Sequence, residues 1–166
     1  MLGPTVPLPP SSADPPGACR ARAAPAASRA ARMSTDPAAR ERRLSSVLQA
    51  ANGADPLNGI CRTAREVLGA SGSSMMLMNG APPSPLAWSD PVSSRLEDLQ
   101  QTLGEGPCVD AHQSGRPVSE PSLGHPRSPR WSAFTVAALD MGIAALFSFP
   151  LRMGGVRLGA FTAYRT

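Results

Sequence analysis

The sequence predicts an α+β domain built on an antiparallel sheet. Three observations carry that prediction. Apolar residues recur at helical spacing behind repeated Asp-Pro pairs, which combine a capping carboxylate with Pro at the first helical position. Apolar runs of strand length sit at Ser74–Met78 and Ile143–Leu151. Asn79-Gly80 and a Pro cluster bound the first run, which has a hairpin partner at Leu86–Trp88, and Gly154-Gly155 is a two-residue hairpin signal after the second, so the strands pair antiparallel.

In chain order, Asp36-Pro37 starts a first helix with Leu44, Val47, Leu48 and Ala51 on one face, ended by Asn52-Gly53. Asp55-Pro56 starts a second, striped by Leu57, Ile60, Cys61, Ala64, Val67 and Leu68 and stopped at Gly69. Cys61 lies on that stripe and reads as a small buried hydrophobe. Ser74–Met78 reads as a buried strand with Leu86–Trp88 as its hairpin partner. Asp90-Pro91 starts a third helix whose inward positions are expected at Val92, Leu96, Leu99 and Leu103, and Gly104-Glu105-Gly106 stops it. Pro107–Gly115 forms a short helix, Pro117–Ser119 a short strand, and Glu120–Arg127 a loop. Ser128-Pro129 is expected to start the last helix, with Trp131, Phe134, Ala138 and Met141 on one face and Gly142 as its end. Ile143–Leu151 and Val156–Arg165 form the final hairpin.

The 166 residues contain 16 Arg, no Lys and 12 acids, for a formal charge of +4. That charge is unevenly placed. Residues 1–43 hold seven Arg and three acids, whereas residues 44–166 hold nine of each. A neutral body offers no electrostatic footprint for nucleic acid or anionic lipid. Residues 1–33 carry seven of the 19 Pro and almost no large apolar side chain. They read as a disordered tail, since they bury too little surface to offset their ordering entropy. Its Arg-rich, acid-poor character fits RNA binding or a transit peptide, but the expectation is that translation starts at Met33. The domain then occupies residues 36–166. No run reaches the roughly 18 apolar residues of a membrane span. Cys19, Cys61 and Cys108 are odd in number and lack C-x-x-C spacing, which points to a reducing cytoplasm without disulfides or structural zinc. All seven aromatic residues lie in the second half, so the core is expected there.

Several blocks carry a family resemblance: Leu99–Ala111, with its Gly104-Glu105-Gly106-Pro107-Cys108 centre; Gly115–Val118; Arg130–Phe134; and Phe149–Arg152 with Val156–Ala160. From about Asp36 onward, over about three quarters of its length, the chain resembles a GAF domain. Specifically, it resembles the actinobacterial type usually found in front of an ANTAR RNA-binding domain. The opening Met33–Pro37 also looks like a family start. The resemblance implies a GAF-like central antiparallel sheet flanked by helices. It implies a cytoplasmic sensor whose GAF domain binds a small ligand or a protein partner, and whose ANTAR domain acts on nascent RNA in transcription antitermination. The closing helix expected after Arg165 is missing, as is the ANTAR domain, so the chain reads as truncated. Nucleic-acid binding is not carried over to it, and a membrane partner is not expected.

The candidate ligand-binding residues are Leu103, Glu105, Cys108, Trp131, Phe134 and Leu139, around a pocket between the sheet and segment 103–141. Beside this stands a structural reading. The glycines end one helix, Pro107 starts the next, Cys108 is packed, and the Trp131/Phe134 stripe is core. Cys108 and His112 share a helix face at a metal-compatible spacing, with Asp110 and His125 as further ligands to consider. Without an evident third ligand, no metal site is expected and His112 is read as solvent-exposed. The first helix is where GAF domains commonly dimerise, and an apolar patch is expected on it. No cofactor can be named.

The leading expectation is therefore a non-catalytic sensory domain. One alternative is a thiol-dependent enzyme similar to the free methionine sulfoxide reductases of the GAF family, using Cys108. No resolving Cys lies in Leu123–Ile143, although such chemistry needs one. Another alternative is a fragment without function of its own. Bilin attachment needs His directly after the Cys, and Val109 stands there. Cyclic-nucleotide sites use an Asn-Lys pair, and Lys is absent. No Walker loop or nucleophile elbow occurs.

Overall fold

The computed structural model describes residues 36–79, 82–125 and 130–166. Three Asp-Pro pairs start helices as expected. The Asp36 carboxylate accepts from the Ala38 N–H (3.1 Å) at the start of α1 (Pro37–Ala50). Asp55 precedes α2 (Pro56–Leu68), which ends on Gly69 in the left-handed conformation (φ 59°). Asp90 caps α3 (Pro91–Leu103) through the Ser93 N–H (2.9 Å). The remaining elements are β1 (Gly72–Leu77), β2 (Ser84–Trp88), α4 (Pro107–Ser114), β3 (Val118–Glu120), α5 (Ser132–Asp140), β4 (Ala145–Met153) and β5 (Val156–Arg165).

The five strands form one antiparallel sheet in the order β2-β1-β5-β4-β3. The α+β expectation with an antiparallel sheet holds. The final hairpin turns at Gly154 (φ 59°) and pairs Met153 with Val156. β5 then crosses to β1, pairing Gly72 with Tyr164 and Leu77 with Gly159. Gly159 has a steric reason to lack a side chain, because a Cβ there would stand 1.9 Å from the Met76 carbonyl oxygen.

Period-2 alternation gives the sheet two unlike faces. Met76, Leu146, Ala160 and Tyr164 join Leu96, Cys108, Phe134 and Ile143 in the main core under α3, α4 and α5. On the opposite face Cys61 of α2 packs on Met75 and Ala87, flanked by Ile60, Leu151 and Phe161. Phe149, the cross-strand partner of Phe161 on that face, is exposed. No residue of α1 is buried, and its Leu44 and Leu48 are 60% and 59% exposed.

Two expectations about helices are corrected. The fully buried stripe of α3 is Ser93, Leu96, Glu97 and Gln100; of the expected positions Leu96 belongs to it, and Val92 and Leu99 pack against the same core from its edge. Val92 and Leu99 are half-buried and Leu103 is 39% exposed. The helix faces the core with the stripe adjacent to its apolar one because buried partners for Glu97 and Gln100 wait there. The last helix begins at Ser132 with Trp131 as its N-cap, not at Ser128-Pro129, which falls within the segment 126–129 outside the described residues. Its start is anchored from elsewhere in the chain: the Phe134 N–H donates to Glu105 Oε1 (2.8 Å), in the role a local capping side chain would fill. The tail reading of residues 1–33 also lies outside the described residues. Among the described residues, no helix is long and apolar enough to cross a membrane.

Candidate functional site

The break between α3 and α4 is set by two glycines with positive φ. Gly104 (φ 63°) ends α3 in the left-handed conformation. Gly106 (φ 136°) precedes Pro107, and a Cβ on it would lie 2.6 Å from Gln100 Oε1 and 2.7 Å from Gln100 Cγ. The close backbone approach expected here therefore serves Gln100 of the protein itself. With Gly106 out of the way, Gln100 Oε1 accepts from the Cys108 N–H (2.8 Å), one of the orphan donors at the start of α4. Gln100 Nε2 donates to Glu97 Oε2 (3.2 Å), and the Ser74 hydroxyl donates to Glu97 Oε1 (2.6 Å). Glu97 is wholly buried. Burial pushes its carboxyl above the usual carboxylate range, opposed only in part by hydrogen bonds from Ser74, Cys108 and Thr162.

Cys108 is buried in this network, with Sγ 4.0 Å from Met76 Sδ. Burial first, and then the adjacent Glu97 carboxyl, push its thiol well above the ordinary value. Cys61 is likewise buried and pushed up to about 11. Both are free thiols.

The sequence-derived site residues fall into two groups. Cys108, Trp131 and Phe134 are buried together in the main core, where the Trp131 and Phe134 rings meet edge-on at 6.3 Å. The Trp131 indole donates to Asp110 (3.2 Å), and Arg130 both pairs with Asp110 (3.3 Å) and lies over the Trp131 ring. Glu105 is committed to the start of α5. Leu103 and Leu139 are exposed, at 39% and 41%. None of the six lines the cavity described next, because their apolar members pack against one another or face outward. Asp110 is held by Trp131 and Arg130, and His125 is exposed. Among the described residues, no cluster of three or more His, Cys, Asp or Glu could hold a metal ion.

A cavity of about 260 Å³ opens beside the end of β1, the end of α3 and one face of α4. Met76 of β1 and Met78 just beyond it form one wall. Val109, His112 and Gln113, one face of α4, also line it. Gln100, Gln101 and Gly104 close one side, and Pro83 closes another. Gln101 Nε2 donates to the Pro83 carbonyl (2.6 Å), which ties the two sides together. His112 is half-buried, which corrects its reading as solvent-exposed. Its Nδ1 is buried and meets no hydrogen-bond partner among the described residues. Arg157 of β5 holds this end of α4 by donating to the backbone carbonyls of His112 (3.2 Å) and Gln113. A wider, more open groove of about 700 Å³ lies between α3 and α5, lined by Val92, Arg95, Leu99 and Met141 among others.

Sequence reasoning missed Gln100 and Gln101, and weighed His112 only as a metal ligand before reading it as solvent-exposed. The signal for Gln100 was present: a Gln one helical turn after a Glu on a helix otherwise read as amphipathic, followed by two glycines.

The family model described as GAF domain matches residues 54–166. No curated protein matches the chain. Among solved structures, the GAF domain of an Acinetobacter phosphoenolpyruvate-protein phosphotransferase is 14% identical with a TM-score of 0.55, covering 75% of each chain. The corresponding domain from Coxiella burnetii is 16% identical with a TM-score of 0.55, covering 75% of this chain and 76% of that one. An N-acylhomoserine lactone dependent LuxR family transcription factor from Burkholderia cenocepacia is 18% identical with a TM-score of 0.57, covering 77% of this chain and 76% of that one. At these identities the likeness is one of fold.

Proposed function

From the premise that the chain belongs to the GAF domain family, we propose that it is a non-catalytic sensory domain whose small ligand occupies the cavity between β1 and α4. The observation that carries this reading is the cavity itself, a half-open hollow lined by methionine and valine side chains together with a few polar groups. The burial of Cys108 and the upward shift of its thiol support a non-catalytic role, since attack on a sulfoxide requires an accessible thiolate. The finer assignment, to a cytoplasmic regulator of transcription antitermination, is supported by the Gly104–Ala111 block and its companions. The free thiols of Cys61 and Cys108 are in keeping with a reducing compartment. The exposed Leu44 and Leu48 of α1 support a homodimer through that helix as the route for the signal.

The test is to incubate the purified protein with a protein-free metabolite extract, desalt it, and identify released small molecules by mass spectrometry. At least one compound is expected to be retained by the wild type and lost from Val109→Trp, which fills the cavity. Identical retention by both proteins, or none, refutes the cavity as the sensory site. Thiol-dependent reduction of free methionine sulfoxide that is abolished in Cys108→Ala would refute the non-catalytic reading.

A further inference from the structure

Two neighbouring helices turn apolar surface toward the same groove. α3 buries the polar stripe Ser93, Glu97 and Gln100, which sets Val92 and Leu99 at the edge of the core and leaves Leu103 exposed. α5 carries a single charged residue, Asp140, and a helix apolar on nearly every face is ordinarily covered all round. Of its residues only Phe134 and Ala138 are buried, while Val136 and Leu139 are exposed. Between the two helices runs the open groove of about 700 Å³. Val92, Leu99, Ala137 and Met141 give it apolar lining, and Arg95, Asp98 and Asp140 give it charge.

The same chain carries a helix of matching character. α1 has 14 residues and buries none of them, and a helix of that length is marginal in water without packing. It packs on α2, yet Leu44 and Leu48, one turn apart, remain exposed. Arg40 stands one turn before Leu44 on that face. The charges are complementary: two carboxylates and one guanidinium in the groove, three Arg and one Glu on α1. Among the described residues, Arg40, Asp98 and Asp140 form no salt bridge. The lengths agree too, since Val92–Thr102 runs about 15 Å along α3 and Arg40–Leu48 about 12 Å along α1. One chain does not join its own helix to its own groove. α2, on which α1 packs, covers the sheet face of Met75 and Ala87, whereas α3 and α5 cover the face of Met76 and Leu146.

We propose that α1 of one copy docks in the α3/α5 groove of a second copy, with Leu44 and Leu48 on the apolar lining and Arg40 toward Asp98 and Asp140. This rests on α1 being the element through which copies associate, and it names the surface that α1 meets. The contact joins two different surfaces and is therefore heterologous.

The test is sedimentation equilibrium of the full chain and two surface variants. Leu44→Glu/Leu48→Glu spoils the helix and keeps the groove, whereas Asp98→Arg/Asp140→Arg spoils the groove and keeps the helix. Each variant is expected to associate at least about tenfold more weakly than the wild type. Their equimolar mixture is expected to regain association, because the intact helix of one meets the intact groove of the other. Thermal melting checks that each variant is folded. A photocrosslinking benzoylphenylalanine in place of Leu48 gives a reading that needs no groove variant. Its crosslinks to an isotope-labelled copy are expected within residues 91–103 and 132–141.

Three results each overturn the groove as the seat of α1: a groove variant that associates like the wild type, a mixture that stays monomeric, or crosslinks confined to α1. The first and third leave a homodimer through α1 standing. Wild-type protein that stays monomeric up to about 1 mM overturns both readings.

Discussion

Glu97 offers the sharpest test of the reasoning about the core. Its carboxyl is wholly buried and accepts from the Ser74 hydroxyl and the Gln100 amide. Glu97→Leu leaves those two buried donors unpaired. At about 1–3 kcal/mol for each unsatisfied group, the loss is about 2–6 kcal/mol, a large part of the roughly 5–15 kcal/mol that holds a domain together. Glu97→Gln keeps an acceptor and the shape, and is expected to lie within about 1 kcal/mol of the wild type near pH 5. The two proteins should then diverge with pH. The folded carboxyl keeps its proton to a higher pH than its ordinary value of 4.5, so above that value the folded state binds more protons than the unfolded chain. Wild-type stability therefore falls as pH rises toward and through the folded value, by up to about 1.4 kcal/mol per pH unit while the unfolded chain alone is ionised. Glu97→Gln lacks this decline.

Asp90 acts with the opposite sign. Burial raises its carboxyl, but hydrogen bonds from Ser89, Ser93 and Tyr164 outweigh that and hold it below 3.8. Its contribution is present above that value and is lost as pH falls, so measurements kept above about pH 5 isolate Glu97. The assay is urea denaturation of wild type, Glu97→Gln and Glu97→Leu from about pH 5 to about pH 8. Parallel pH profiles for wild type and Glu97→Gln, or a Glu97→Leu protein as stable as wild type, refute a buried protonated carboxyl at this position.

Other expectations follow from single contacts. Gly159→Ala places a Cβ against the Met76 carbonyl oxygen and should cost more than about 4 kcal/mol. A thermal midpoint equal to wild type would mean that β1 and β5 do not pair in this register. Glu105→Ala removes the carboxylate that receives the Phe134 N–H and should cost about 0.5–2 kcal/mol in urea denaturation, with Glu105→Gln costing less. In a Cys19→Ser background, neither Cys61 nor Cys108 should react with a thiol reagent until the protein is unfolded, given their burial and raised thiols. Rapid labelling of Cys108 in the native protein would contradict that and reopen thiol chemistry.

Local rules made much of the architecture readable along the chain. Asp-Pro starts, Gly stops and period-2 runs report on backbone geometry that each short segment determines for itself. The helices at Pro37, Pro56 and Pro91, the Gly154 hairpin and the packed Cys61 all came from such signals. The face α3 presents did not, because apolar periodicity ranks positions by transfer energy alone. It cannot see that Ser74 on β1 and the Cys108 N–H on α4 stand ready to satisfy a buried Glu97 and Gln100. The start of α5 escaped for the same reason, since its N-terminal acceptor, Glu105, is 29 residues away in sequence.

The site followed that pattern. Residue type marked Cys108, Trp131 and Phe134 as notable, and the assembled fold used them as filling. The hollow formed where Met76 of β1 and Met78 just beyond it come together with Val109 and His112 of α4. A cavity is the space that several elements leave between them once packed, and no single segment's chemistry encodes it.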